Sequence, residues 1–313
     1  MYLTDTALRL GEDRWPIDPV RLVLEGERRL PDLSTITSVT IELTVDPQRL
    51  PDGYGALREA LALLEAGHLS SALVEAGSAA GLAVHVSPRG VGTPSDIGVE
   101  VTFRHGTDSN WPWQQVLAER GGALGPRGLS ADPRPLPAEA LHRLIHDSRP
   151  PEGSLAGRPS GMELRHRLAV RGVSSVQEGL YGLSEGGLVL LQPGQATEHI
   201  QSAFPFGRSD IDVTSMNVVW VITADLNDVV NRQGPDAYPT TLITAGAVAQ
   251  HVCSAAAAAG LFCRPVRSFD ESASEAAVRA DAGEDIIYML LIGRPRALDF
   301  CYDLTDPEDS PWG

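Results

Sequence analysis

An α+β fold written twice in one chain is what the sequence predicts, and three observations predict it. Apolar strand-like stretches alternate with helical ones along the chain, the pattern of a sheet flanked by helices. Two long helices of unusually small residues, AGHLSSALVEAGSAAGLA at 66–83 and AGAVAQHVCSAAAAAGLF at 245–262, resemble each other. Sliding the chain on itself by 179 positions carries residues 38–82 onto 217–261 without a gap, the mark of an internal repeat.

The identities in that alignment are Val39, Thr44, Asp46, Gly55, Leu63, Ala66, Gly67, Ala76, Ala79, Ala80, Gly81 and Leu82 in the first copy. Each copy opens on a strand, SVTIELTVD or NVVWVITAD, passes through a polar loop, and enters a helix. That helix ends at Gly-Leu, where glycine suits the left-handed residue that stops it. A further strand follows, DIGVEVTFRHG in the first copy and DIIYMLLIGRP in the second. Ahead of the second copy the pattern predicts a helix, LPAEALHRLIHD, and strands LRHRLAVRGV, EGLYGLS and GLVLLQP. Little is expected ahead of the first, so residues 1–110 read as a truncated half-domain and 111–313 as a fuller one. The Gly/Pro-rich passage GGALGPRGLSADPRPLP lies between the repeats. Small residues along both helices let two backbones approach closely, which predicts a pseudo-twofold pairing of the two copies.

A formal net charge of −16 and a pI near 4.8 argue against nucleic acid as a partner, since phosphate recognition needs clustered cations. The chain contains no lysine, which removes Schiff-base chemistry. Cys253, Cys263 and Cys301 have neither zinc nor disulfide-framework spacing, as expected in a reducing compartment. The first residues carry acids where a secretory signal needs a basic start, so a cytoplasmic protein is expected. The apolar run from Thr244 to Cys263 is interrupted by Gln250 and His251 and dominated by alanine; a buried helix is expected there rather than a membrane span. His142 and His146 stand four apart but lack a third ligand nearby, so no metal is expected. Neither a phosphate-binding loop nor a Gly-x-Ser-x-Gly elbow occurs.

The order RPSGMELRHRLAVRGV, EGLYGLSEGGLVLLQPG, VVWVITADL, GPDAYPTTLITAGAVAQHVCSAAAAAGLFCRPVRSFDE and YMLLIGRP resembles the nitroreductase-like flavoprotein superfamily, and within it the SagB-type dehydrogenase branch. The resemblance covers 112–313 almost entirely, and 38–106 is similar to the tail of a second such domain. It implies an FMN-dependent α+β fold, a mixed or antiparallel sheet flanked by helices, with flavin at the interface of two like domains, here an intramolecular pseudo-dimer. It also implies oxidation of azoline rings in a ribosomally made peptide, or of a small biosynthetic intermediate, with partner subunits or a homodimer as assemblies. Flavin N5 takes the hydride and a protein base takes the neighbouring proton.

Position by position, the resemblance assigns Arg120, Arg158, Ser160, Gly161 and Arg294 to the cofactor. Arg120, with Arg127, stands where the family has an arginine-rich phosphate anchor, and Gly122 replaces its serine. Pro159, Ser160 and Gly161 match the turn against the flavin ring, and Gly293, Arg294 and Pro295 match the end of the final strand. The loop CRPVRSF, carrying Arg264 and Arg267, is expected at the flavin edge. Where azoline-oxidising members carry a Lys-Tyr pair, this chain has Arg232 and Gln233, and arginine stays protonated at ordinary pH. Tyr238, His251 and His68 are the remaining candidates for proton transfer. Two readings stay open: a divergent FMN oxidoreductase, or a flavin-free partner or scaffold on the same fold.

Overall fold

In the computed structural model the described residues are 4–10, 13–18, 23–24, 38–89, 98–105, 129–150, 154–155 and 164–296. Three strands, β1 (Thr4–Leu10), β2 (Asp13–Asp18) and β3 (Val23–Leu24), precede the first copy of the repeat. The copy itself supplies β4 (Ser38–Val45), α1 (Leu57–Ala79), β5 (Leu82–Arg89) and β6 (Gly98–His105). After it come α2 (Ala138–Asp147), β7 (Arg165–Val170), β8 (Gly179–Ser184), β9 (Gly187–Pro193) and α3 (Ala196–Ser202). The second copy comprises β10 (Val218–Ala224), α4 (Leu226–Gln233), α5 (Ala237–Ala258), β11 (Phe262–Val266), α6 (Glu271–Ala277) and β12 (Asp285–Gly293).

These strands form two six-stranded sheets, β5-β6-β4-β1-β2-β3 and β11-β12-β10-β7-β8-β9. Every recorded pairing between strands is antiparallel. Position for position the two orders are the same, with β4 standing where β10 stands and β1–β3 where β7–β9 stand. The expectation that little precedes the first copy is therefore corrected. What the described residues of the first half lack are counterparts of the short helices α2, α3, α4 and α6. A second correction concerns the segment after the Gly-Leu stop. Residues 262–266 are the edge strand β11 rather than a loop, and Pro265 is tolerated there because an outer edge leaves its missing N–H unneeded.

Side-chain alternation shows how the sheets are used. On β10, Val218, Trp220, Ile222 and Ala224 join the core that holds the long helices, while Val219 and Val221 join a second core with Ile200 of α3. The second sheet is thus covered on both faces, and every residue of β10 is buried. From the first sheet, Leu43, Val45, Val86, Val99 and Val101 enter the same core as α1 and α5. One continuous apolar interior therefore links both sheets through the two helices, and each fully buried Leu or Ile in it contributes about 1.5–3 kcal/mol.

Among the described residues α5 is the one helix long and apolar enough to cross a membrane. Its apolar window is 94% buried inside the protein, against α1, α2 and the second sheet. It stops at Gly260, whose φ of +71° is matched by +72° at Gly81 after α1, so the repeated Gly-Leu is a repeated helix stop.

Candidate functional site at the paired helices

Helices α1 and α5 run parallel and in register, so that a residue of α1 meets the one 179 positions later. A Cβ placed on Gly67 would lie 2.0 Å from Ile243 O, and one placed on Gly246 2.0 Å from Leu64 O. Only hydrogen fits at either position. The glycines that recur in the sequence are therefore where the two backbones touch.

One step further along, the shared face turns polar. Glu75, 1% exposed, accepts hydrogen bonds at Oε2 from Gln250 Nε2 at 2.9 Å and from Ser254 Oγ at 2.8 Å. Its Oε1 lies 3.4 Å from His251 Nδ1, and His251 Nε2 lies 3.0 Å from Ser71 Oγ. His68 Nδ1 is 3.3 Å from Gln250 Oε1, and its ring meets the Tyr288 ring edge-on at 5.7 Å between centroids. Burial holds the His251 imidazole down at about 4, and burial likewise pushes the Tyr288 phenol up. His251 is neutral at pH 7, with its ring nitrogens turned to the other helix.

At the opposite end of the pair, Tyr238 opens α5 and is half-buried. Burial pushes its phenol up, and the carboxylate of Glu59 on α1 adds to the shift. Glu59 also lines a cavity of about 260 Å³ with Val45, Pro47, Ala56, Arg58 and Leu63. Arg267, whose charge opposes that shift at Tyr238, donates from Nη2 to Glu271 Oε1 at 2.6 Å and lies 5.0 Å from the Phe269 ring centroid. Its Nε and Nη1 are buried without a hydrogen-bond partner. Burial, and then the charge of neighbouring carboxylates, also raises Glu275, and burial raises Asp285.

The three residues expected to carry protons do not meet in one place. His68 and His251 share the buried network, whereas Tyr238 lies thirteen residues before His251 on the same helix, about 20 Å along its axis. Of the cofactor candidates, Arg120, Arg158, Ser160 and Gly161, with Arg127, lie outside the described residues. Arg294 follows β12; its backbone N–H donates to Asn217 Oδ1 at 3.1 Å and its Nη2 to Pro135 O at 3.1 Å. Its Nε is buried with no partner, so the donor set there fits an anionic group such as a nucleotide phosphate. Arg232 is ion-paired with Asp228 one turn earlier. No group of three or more metal-ligating side chains occurs among the described residues.

Sequence reasoning did not single out Ser71, Glu75, Ser254 or Glu59. The signal was present for Glu75: it is the acid in the repeat alignment that falls opposite a serine, in the small-residue stretch before the shared Gly-Leu stop.

No protein-family model matches this chain, and no curated protein matches it. Among solved structures, one from Anabaena variabilis, assigned by inference as a nitroreductase, superposes with a TM-score of 0.73 at 13% identity. That superposition covers 94% of this chain and 81% of the other, and so takes in both sheets. A Ralstonia eutropha structure of the same assignment gives a TM-score of 0.45 at 20% identity, over 61% of this chain and 86% of its own. The Escherichia coli microcin synthetase McbBCD complex with truncated pro-MccB17 bound gives 0.45 at 13% identity, over 55% and 70%. The Anabaena match joins the two-sheet topology and the paired central helices in one conclusion: the chain has a nitroreductase-like α+β fold.

Proposed function

We propose that this chain is a cytoplasmic FMN-dependent oxidoreductase whose residues 1–110 and 111–313 form the two halves of an intramolecular pseudo-dimer. The observation that carries this reading is the identical strand order of the two sheets with α1 and α5 in register between them. The nitroreductase-like fold supports it, although a fold alone does not fix an activity. The resemblance to SagB-type dehydrogenases supplies the finer expectation, oxidation of a modified peptide or small biosynthetic intermediate, carried out alone, as a homodimer or with partner subunits.

When bound, FMN supplies the two-electron acceptor for a hydride from substrate. Arg294 is the described residue that would hold its phosphate, with Arg120, Arg158, Ser160 and Gly161 completing the anchor. Tyr238 is the candidate best placed to meet a substrate: it is half-buried, and its raised phenol keeps its proton at pH 7. A protonated phenol orients a substrate by donating a hydrogen bond, and the proton that leaves with the hydride goes to another base. His251 is excluded from that work by its burial and its hydrogen bonds, and it holds the helix pairing instead. Arg232 cannot act as a base.

The absorption spectrum of the purified full chain, before and after adding FMN, tests this. Flavin bands near about 450 nm that follow the protein through gel filtration are expected. A colourless chain that takes up no FMN contradicts it and favours the second reading, a flavin-free partner or scaffold. The specific observation on that side is the commitment of His251 and Arg232 to structural contacts.

A further inference from the structure

The sulfurs of Cys253 and Cys263 lie 3.4 Å apart, with the Cys253 thiol donating to the Cys263 sulfur. Both residues are buried, 6% and 7% exposed, and both are free thiols. They belong to different elements, α5 and β11, joined by the short turn through Gly260. Chance packing of two small apolar side chains does not require their sulfurs to be nearest neighbours across such a junction.

We propose that Cys253 and Cys263 are a two-electron oxidation site that closes to an intramolecular disulfide when a small peroxide reaches it. One thiol sulfur attacks hydrogen peroxide; the O–O bond breaks, an S–O bond forms, and the products are a sulfenic acid and water. The second sulfur then attacks the sulfenic sulfur; the S–S bond forms, the S–O bond breaks, and a second water leaves. Two thiols are oxidised, one peroxide is reduced by two electrons, and both thiol protons end in water.

A disulfide bond is about 2.05 Å long, so the sulfurs must approach by about 1.4 Å. Small side-chain rotations and a slight shift of the α5 terminus against β11 supply that movement. Burial pushes the Cys263 thiol up, and its neighbour Cys253 adds to the effect. Cys263 at rest is therefore protonated and reacts slowly, which suits a site oxidised under load rather than during turnover. Closure pins the C-terminal part of α5 to the sheet, one residue from Ser254 and its bond to Glu75.

The reduced full chain is treated with hydrogen peroxide under native conditions, blocked with iodoacetamide, and digested with trypsin. Arg264 precedes Pro265 and resists cleavage, so both cysteines fall in the peptide 233–267 while Cys301 falls elsewhere. The expected result is a 233–267 peptide about 2 Da lighter than the reduced form and inert to alkylation, restored by dithiothreitol. Cys301→Ser retains it, and Cys253→Ser or Cys263→Ser abolishes it. The oxidised full chain also melts at a higher temperature than the reduced one. A peptide that stays alkylatable on both cysteines, or one cross-linked to the Cys301 peptide instead, overturns the proposal. Flavin content does not enter either readout, so its outcome is separate from that of the FMN reading.

Discussion

Gly67 and Gly246 meet at the point of closest approach between α1 and α5, each leaving room only for hydrogen against the other helix's backbone. Adding one methyl group at either position forces the helices apart. Gly67→Ala and Gly246→Ala should each lower stability by about 1–3 kcal/mol or more, as overpacking does. Gly53→Ala is the control: nothing lies within 4 Å of its Cβ position, and its denaturation midpoint should hardly move. Urea midpoints of the three variants check this.

In the polar part of that interface Glu75 accepts hydrogen bonds from Gln250 and Ser254 together. Glu75→Ala leaves buried donors without their acceptor, an expected loss of roughly 1–3 kcal/mol. Glu75→Gln keeps an acceptor oxygen at the same reach and should recover much of the loss. In a double-mutant cycle, Glu75→Ala and Ser254→Ala should be non-additive, because the bond between them is lost only once. Additive losses would separate the two residues.

His251 and His166 are both held down to about 4 by burial, against 6.5 for an unperturbed imidazole. The folded state therefore binds fewer protons than the unfolded chain between about pH 6.5 and 4, and stability rises with pH across that window. Their contribution is complete above about pH 6.5 and is lost as pH falls through about 4. His251→Asn, neutral at every pH, should flatten the slope of stability against pH by one proton over this range. Thermal melts from pH 4 to 8 give the comparison.

Arg294 carries a buried Nε without a partner at the end of β12. Arg294→Gln should weaken FMN binding by about tenfold or more, the worth of a charge-assisted hydrogen bond, and lower the melting temperature of the flavin-free chain only by the loss of its bond to Pro135 O. Tyr238→Phe should retain the flavin spectrum and lose turnover. Equal losses of flavin in both variants would place Tyr238 in binding instead.

Much of the frame was legible because the sequence wrote it redundantly. β4 and β10, α1 and α5, and β6 and β12 are long, strongly patterned and repeated, and the recurring Asp46 and Asp225 turn out to cap the turns that follow them. What escaped were short or edge elements. β1 and β2 mix arginines and acids with few apolar residues, and β11 contains Pro265, so none carries a clean alternation. The short helices α3, α4 and α6 have only seven or eight residues each, too few to show a helical period. The site was less legible than the frame. His251 and Tyr238 share a helix and looked like equals, but sequence does not state depth of burial, and burial is what separates a structural imidazole from an accessible phenol.

The central claim is that both halves of one chain together build a single flavin site. Gel filtration of the full chain, with flavin and protein quantified across the peak, tests it most directly. One FMN per chain in a species of about the monomer mass of 33.4 kDa is the predicted result. A monomer that carries no flavin even after incubation with excess FMN would contradict it.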